Sequence, residues 1–197
     1  MKRTLEKRLS YLYTGELFSV ITFIFTSYLL NYVYPTLHLY SLYSFWISFL
    51  LLEFILLQGV IYWYVKWKRL KKEKTSVTPI RMIQYLKILK KINIAFIITW
   101  FITFTIDFVI WYPYLPLGGL SFTLFIYMFA LLEYINYYHT QLSYDNISDM
   151  KHLIQSKKLK QSCISKDFQR ISWKRRYYIL SSTFFTYKYK LLFNYSI

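Results

Sequence analysis

The sequence predicts an all-α polytopic membrane protein: four transmembrane helices arranged as two related helical hairpins, followed by a cytoplasmic amphipathic tail. Three observations carry this reading. The 197-residue chain is 56% hydrophobic and 23% aromatic, yet has a formal net charge of +16. Its apolar residues gather into four runs, each near the ~20 residues a bilayer core needs at helical rise. Its 25 Lys and Arg lie wholly outside those runs. Composition also argues against disorder, collagen and a Gly-rich nucleotide fold, and the single Cys against a disulfide scaffold.

The runs come in order at 17–34, 43–64, 92–112 and 120–138. The first is uncharged; the others contain Glu53, Asp107 and Glu133 respectively. Backbone in hydrocarbon must satisfy its own hydrogen bonds, so each run is expected to be a helix. This overrides the strand preference of their Ile, Phe and Thr residues. The chain then divides into a basic segment 1–16, hairpin 17–64, basic loop 65–91, hairpin 92–138 and basic tail 139–197.

Basic residues set the orientation. They precede the first run, fill 65–91 and follow the fourth run, while the loops at 35–42 and 113–119 have none. Lys and Arg mark the cytoplasmic side, so both termini and the middle loop are expected there, in a multi-pass protein of the cell membrane. Aromatic belts fit this scheme. Tyr32, Tyr34, Tyr43, Trp46, Trp111, Tyr112 and Tyr114 fall at the outer face, and Trp63, Tyr64, Trp67, Tyr137 and Tyr138 at the inner one. The first run ends in Tyr34-Pro35-Thr36-Leu37 without a small-x-small cleavage site, so it is expected to stay as a span. Cys163, in the cytoplasmic tail, is expected to be a reduced thiol.

The hairpins read as copies. Phe49-Leu50-Leu51-Leu52-Glu53-Phe54-Ile55 aligns with Phe129-Ala130-Leu131-Leu132-Glu133-Tyr134-Ile135, and Tyr34-Pro35-Thr36-Leu37 with Tyr112-Pro113-Tyr114-Leu115. A parallel repeat of this kind, two-fold about the membrane normal, would put Glu53 and Glu133 at equal depth, facing each other.

The acids are the candidate site. Glu53 lies twelve residues from Ser41, roughly 18 Å below the outer edge at helical rise, and Glu133 is spaced likewise from Ser121. A charge at mid-bilayer costs about 2.5–3.5 kcal/mol, and no Lys or Arg inside a span is there to pair with it. The expected resolution is an intramembrane polar cluster of protonated acids and hydrogen-bonding neighbours: Glu53, Asp107 with Thr99 and Thr103, and Glu133 with Asn136 and Tyr137. Such a cluster either fastens helices or carries protons or cations. The chain has only Ala95, Ala130 and four Gly for close crossings, which favours fastening.

Outside the spans, Lys66, Lys68, Arg69, Lys71 and Lys72 are expected to contact anionic phospholipid headgroups, at about 1 kcal/mol per basic residue. Nucleic acid is not an expected partner, because the charge hugs the membrane and no reading motif accompanies it. No catalytic residue, cofactor or metal is expected, since His38, His139 and His152 are dispersed and no nucleophile or phosphate-loop motif occurs. The tail positions Ile147, Met150, Ile154, Leu159, Cys163 and Phe168 suit an amphipathic helix on the inner leaflet, or a partner site, with 177–193 at the interface.

The segment Glu133-Tyr134-Ile135-Asn136-Tyr137-Tyr138-His139-Thr140-Gln141-Leu142-Ser143-Tyr144-Asp145, with Lys158-Leu159-Lys160-Gln161-Ser162-Cys163-Ile164-Ser165-Lys166-Asp167, resembles uncharacterised small multi-span membrane proteins of Gram-positive bacteria. The resemblance implies a bacterial membrane and marks the stretch below Glu133 as a functional surface, but supplies no activity. The expected role is a non-enzymatic accessory or interaction protein of the immunity, stress or complex-assembly type, with a second copy or another membrane protein as partner. A small proton- or cation-conducting oligomer using the three acids is the alternative, and a lipid-directed membrane enzyme a third.

Overall fold

The computed structural model describes residues 2–142 and 159–173. Four helices run up, down, up and down: α1 (Lys2–Val33), α2 (Tyr43–Glu73), α3 (Ile80–Ile110) and α4 (Leu117–Tyr138). All four are long and apolar enough to cross a membrane. A short helix, α5, follows at 163–173, and the described residues contain no strand beyond an isolated bridge between Thr140 and Gln161. The expected amphipathic positions Ile147, Met150 and Ile154, and the stretch 177–193, lie outside the described residues.

The helices outrun the apolar stretches that predict them. The 31 residues of α2 span roughly 46 Å at helical rise, well beyond a ~30 Å hydrocarbon core. Lys66 to Lys72 simply continue its last turns, where cations suit the helix C-terminus. The basic segment before residue 17 is likewise helical and continuous with the first span.

The packing is not that of two equivalent hairpins. Helices α1, α3 and α4 each lie along α2, while the backbones of α3 and α4 stay farther apart and are bridged by Tyr127, which stacks on Trp100 at 3.8 Å and donates to the Ile97 carbonyl at 3.3 Å. Helix α2 is the hub: 56% of its most apolar stretch is buried, against 11% for α1 and 17% for α3. Large apolar side chains such as Phe18, Ile21, Phe25, Ile98, Phe101 and Ile102 remain exposed along α1 and α3, the surface a lipid-facing bundle presents.

Few small residues are available, and Ala130, Gly119 and Gly59 sit at close contacts. Ala130 is fully buried. A Cβ at Gly119 would overlap the Leu37 carbonyl oxygen, so the start of α4 lies directly against the turn of the first hairpin. A Cβ at Gly59 would overlap the Tyr137 hydroxyl, so α4 reaches across α2 only because that position is bare.

Candidate functional site

Polar groups inside the bundle are placed by register. Along α2 and α3, Ser44 meets Asp107 and Gln58 meets Asn93, an antiparallel match fourteen residues apart on each helix. Between α2 and α4, the Tyr138 hydroxyl reaches Gln58, an offset of 80 that also separates Glu53 from Glu133. That contact puts the two glutamates at a similar level.

Asp107 sits one turn from the end of α3 and is fully buried. Its carboxylate accepts from the backbone N–H of Tyr43 at 3.0 Å, the N–H of Ser44 at 2.7 Å and the Ser44 hydroxyl at 2.5 Å. These are orphan donors of the first turn of α2, whose own capping residue, Leu42, has no side chain able to satisfy them. An acid from a neighbouring helix thus serves as the N-cap, on the end of α2 that favours negative charge.

A second fastener joins three helices. Gln58 and Asn93 exchange two amide hydrogen bonds at 3.0 Å each, and Tyr138 of α4 donates to the same Gln58 oxygen. A third crosses over Gly59, where Tyr137 donates to Glu16 of α1. Glu133, one turn before Tyr137, accepts from Asn136 at 3.3 Å.

Glu53 differs from all of these. It is only 7% exposed, and neither carboxylate oxygen has a hydrogen-bond partner. It lies three turns before Tyr64 on one face of α2, and Tyr64 packs on Tyr13 of α1, so Glu53 faces the α1 side.

The seven acids and neighbours expected to cluster therefore divide. Glu133, Asn136 and Tyr137 come together and add Glu16. Asp107 stands apart at the far end, and Glu53 stands alone. Thr99 and Thr103 do not meet Asp107: Thr99 is exposed, and the Thr103 hydroxyl donates back to the carbonyls of Thr99 and Trp100. Glu53 and Glu133 do not bond: Glu53 has no hydrogen-bond partner, and Glu133 accepts from Asn136 of its own helix. Tyr137 and Tyr138, expected in the inner aromatic belt, are buried within the protein, with their hydroxyls donated to Glu16 and Gln58.

The basic end of the bundle is closed by α5. The Ser162 N–H donates to the His139 carbonyl and the Gln141 N–H to the Lys160 carbonyl, and these bonds turn the chain back onto the bundle. Asp167 then accepts from Tyr62 at 2.8 Å and Thr78 at 2.6 Å, with Lys66 at 3.5 Å and Arg170 at 3.2 Å. Ile164 and Ile171 are buried, and Phe168 packs on Tyr138. This stretch of tail thus places Ile164, Phe168 and Ile171 on protein, where Asp167 finds its partners on α2 and the loop after it. Burial, then the Lys90 ammonium, hold the His139 imidazole below its ordinary 6.5.

The expected headgroup row is only partly free for lipid. Lys66 is held by Asp167 over the Tyr62 ring. Arg69 binds Glu73 and the Val77 carbonyl, closing the loop. Lys68 and Lys71 lie over Tyr64 and Trp67, and Lys72 is exposed. Beside Lys66 a cavity of about 310 Å³ opens between α1, α2, the end of α4 and residues 160–166, with Glu16 and Tyr137 among its lining residues.

Sequence reasoning missed Glu16, Gln58, Asn93 and Asp167. Glu16 was hidden by its basic surroundings, though it directly abuts the first apolar run. Gln58 and Asn93 carried a usable signal, as lone amides inside apolar runs. Fold and site define a multi-pass helical membrane protein fastened by interhelical polar contacts. Comparison with known proteins finds no family model, no curated protein and no solved structure that matches the chain.

Proposed function

We propose that the protein is a non-enzymatic accessory protein of a bacterial cell membrane, with its basic end in the cytoplasm, that works by association and not by transport or chemistry. One observation carries this reading: the polar side chains inside the spans are mostly spent on one another across helices. Asp107, Gln58, Asn93, Tyr137 and Tyr138 each hold a neighbouring helix. The apolar exterior of α1 and α3 offers the contact surface for lipid or a membrane partner. The clustering of basic residues supports the orientation. Duplication of an ancestral hairpin accounts for the offset of 80 shared by the two glutamates and by the α2–α4 register.

The second reading, an oligomeric conductor, is favoured by Glu53 alone, because a buried acid without partners is what a proton carrier needs. Reconstitution in liposomes separates the two. The association reading expects proton and potassium flux no greater than in empty vesicles, unchanged in Glu53→Gln. A flux that Glu53→Gln abolishes would replace it with conduction. Orientation is tested by a cysteine placed at His38 and probed with an impermeant thiol reagent on intact cells: labelling is expected, and protection would reverse it.

A further inference from the structure

We propose that the cavity at the basic end is a binding site for a phosphate-bearing anion, held by Lys66, Lys160, Lys166 and Arg8. These four cations come from three separate parts of the chain, α1, α2 and residues 160–166, and converge on one space of about 310 Å³. That volume is at the small end of the range for ligand sites, enough for a headgroup and not for a whole lipid. Glu16 is the one acid among the lining residues, and its carboxylate is engaged by the Tyr137 hydroxyl. Lys66 is set in place by Asp167 and the Tyr62 ring, which fixes a cation whose flexible stem would otherwise wander. The Lys166 side chain is exposed.

Two features favour an amphiphile as the carrier of that phosphate. The α1 wall of the cavity is apolar, formed by Leu5, Leu9 and Leu12. The cavity also lies where apolar runs give way to basic segments: Glu16 just precedes the run of α1, and Tyr137 nearly ends α4. This is the level at which phosphates of a bilayer lie. The inference goes beyond the association reading, because it assigns a pocket distinct from the row Lys68, Lys71 and Lys72.

The test uses the full chain in nanodiscs of phosphatidylcholine, with phosphatidylglycerol added in steps and retained lipid counted by native mass spectrometry. A parallel arm adds inorganic phosphate to discs without phosphatidylglycerol and reads the melting temperature. Saturable retention of phosphatidylglycerol is expected. At about 1 kcal/mol per basic residue it should weaken about fivefold in Lys166→Gln and roughly 25-fold in Lys160→Gln/Lys166→Gln. Lys74→Gln/Arg81→Gln removes the same charge outside the cavity and outside that row, and should change it less than twofold. If millimolar phosphate alone raises the melting temperature and Lys166→Gln removes that effect, the site stands and its ligand is a soluble phosphate. Equal losses in both double variants would overturn the site in favour of diffuse surface charge, and so would retention no greater than that of phosphatidylcholine. Because the readout is binding and not flux, its failure leaves the association reading intact.

Discussion

Asp107 and Glu53 are both carboxylic acids buried against helices of an apolar bundle, and their surroundings could hardly differ more. Asp107 lies at a helix end, where α2 presents unsatisfied N–H groups, and it accepts three hydrogen bonds. Glu53 lies mid-helix, where every nearby N–H is already committed to the helix, and it accepts none. Depth alone therefore does not determine whether an intramembrane acid is tolerated. What matters is whether an uncommitted donor lies beside it, such as the helix end at Asp107 or the side chains at Glu133 and Glu16.

The largest effect expected from this contrast is at the helix end. Asp107→Asn keeps the shape and one acceptor oxygen but turns the other into an amide N–H₂, which then opposes one of the two backbone N–H groups. A loss of about 3 kcal/mol is expected in mixed-micelle unfolding, since hydrogen bonds to a charged group are worth about 1.5–3 kcal/mol each and the donors are left buried. Full stability in this variant would show that the cap is not what holds α2 to α3.

Next comes the crossing at Gly59. Gly59→Ala forces the Tyr137 hydroxyl off its path to Glu16, and overpacking of this kind costs about 1–3 kcal/mol. Adding Tyr137→Ala should then recover the steric part, so the double variant should be less destabilised than the two single losses summed. Strict additivity would contradict the crossing.

A smaller change is expected at the amide pair. Interhelical hydrogen bonds in membranes average about 0.6 kcal/mol and reach about 1.7, so Asn93→Ala should cost about 1–2 kcal/mol while stranding Gln58. A Gln58→Leu/Asn93→Leu pair should recover most of it, because both polar groups are then gone. No recovery would mean the amides do more than fasten.

The smallest effect is electrostatic. The His139 imidazole is held below its ordinary 6.5 by burial and by Lys90, so the docked state disfavours its protonation. A lowered histidine leaves stability complete above about 6.5 and draws it down as pH falls from there to the lowered value. Stability in mixed-micelle unfolding should therefore weaken slightly over that window, and less in His139→Gln. A loss confined to pH above 7 would have the wrong sign.

Much of the fold was legible in the sequence, and the reason is that a bilayer leaves few choices. Length and hydropathy place all four spans, and α4 begins within three residues of the expected run. The helices' extensions were not legible, because the basic residues at 66–72 and before residue 17 read as loop while continuing helix. That misreading concealed Glu16. In the site, the depth of Asp107 was readable but its partner was not. Antiparallel hairpins do bring the end of α3 toward the start of α2, yet only the register picks out Tyr43 and Ser44. The isolation of Glu53 and the docking of Asp167 depend on packing between distant segments, which no local pattern encodes.

The most direct test of the account compares Asp107→Leu and Glu53→Leu in one mixed-micelle unfolding series. If intramembrane polar groups are fasteners wherever they are bonded, Asp107→Leu should lower stability by about 3 kcal/mol, and Glu53→Leu should leave it equal or higher, since an unbonded buried acid is replaced by a fitting apolar side chain. Equal losses in the two variants would contradict it.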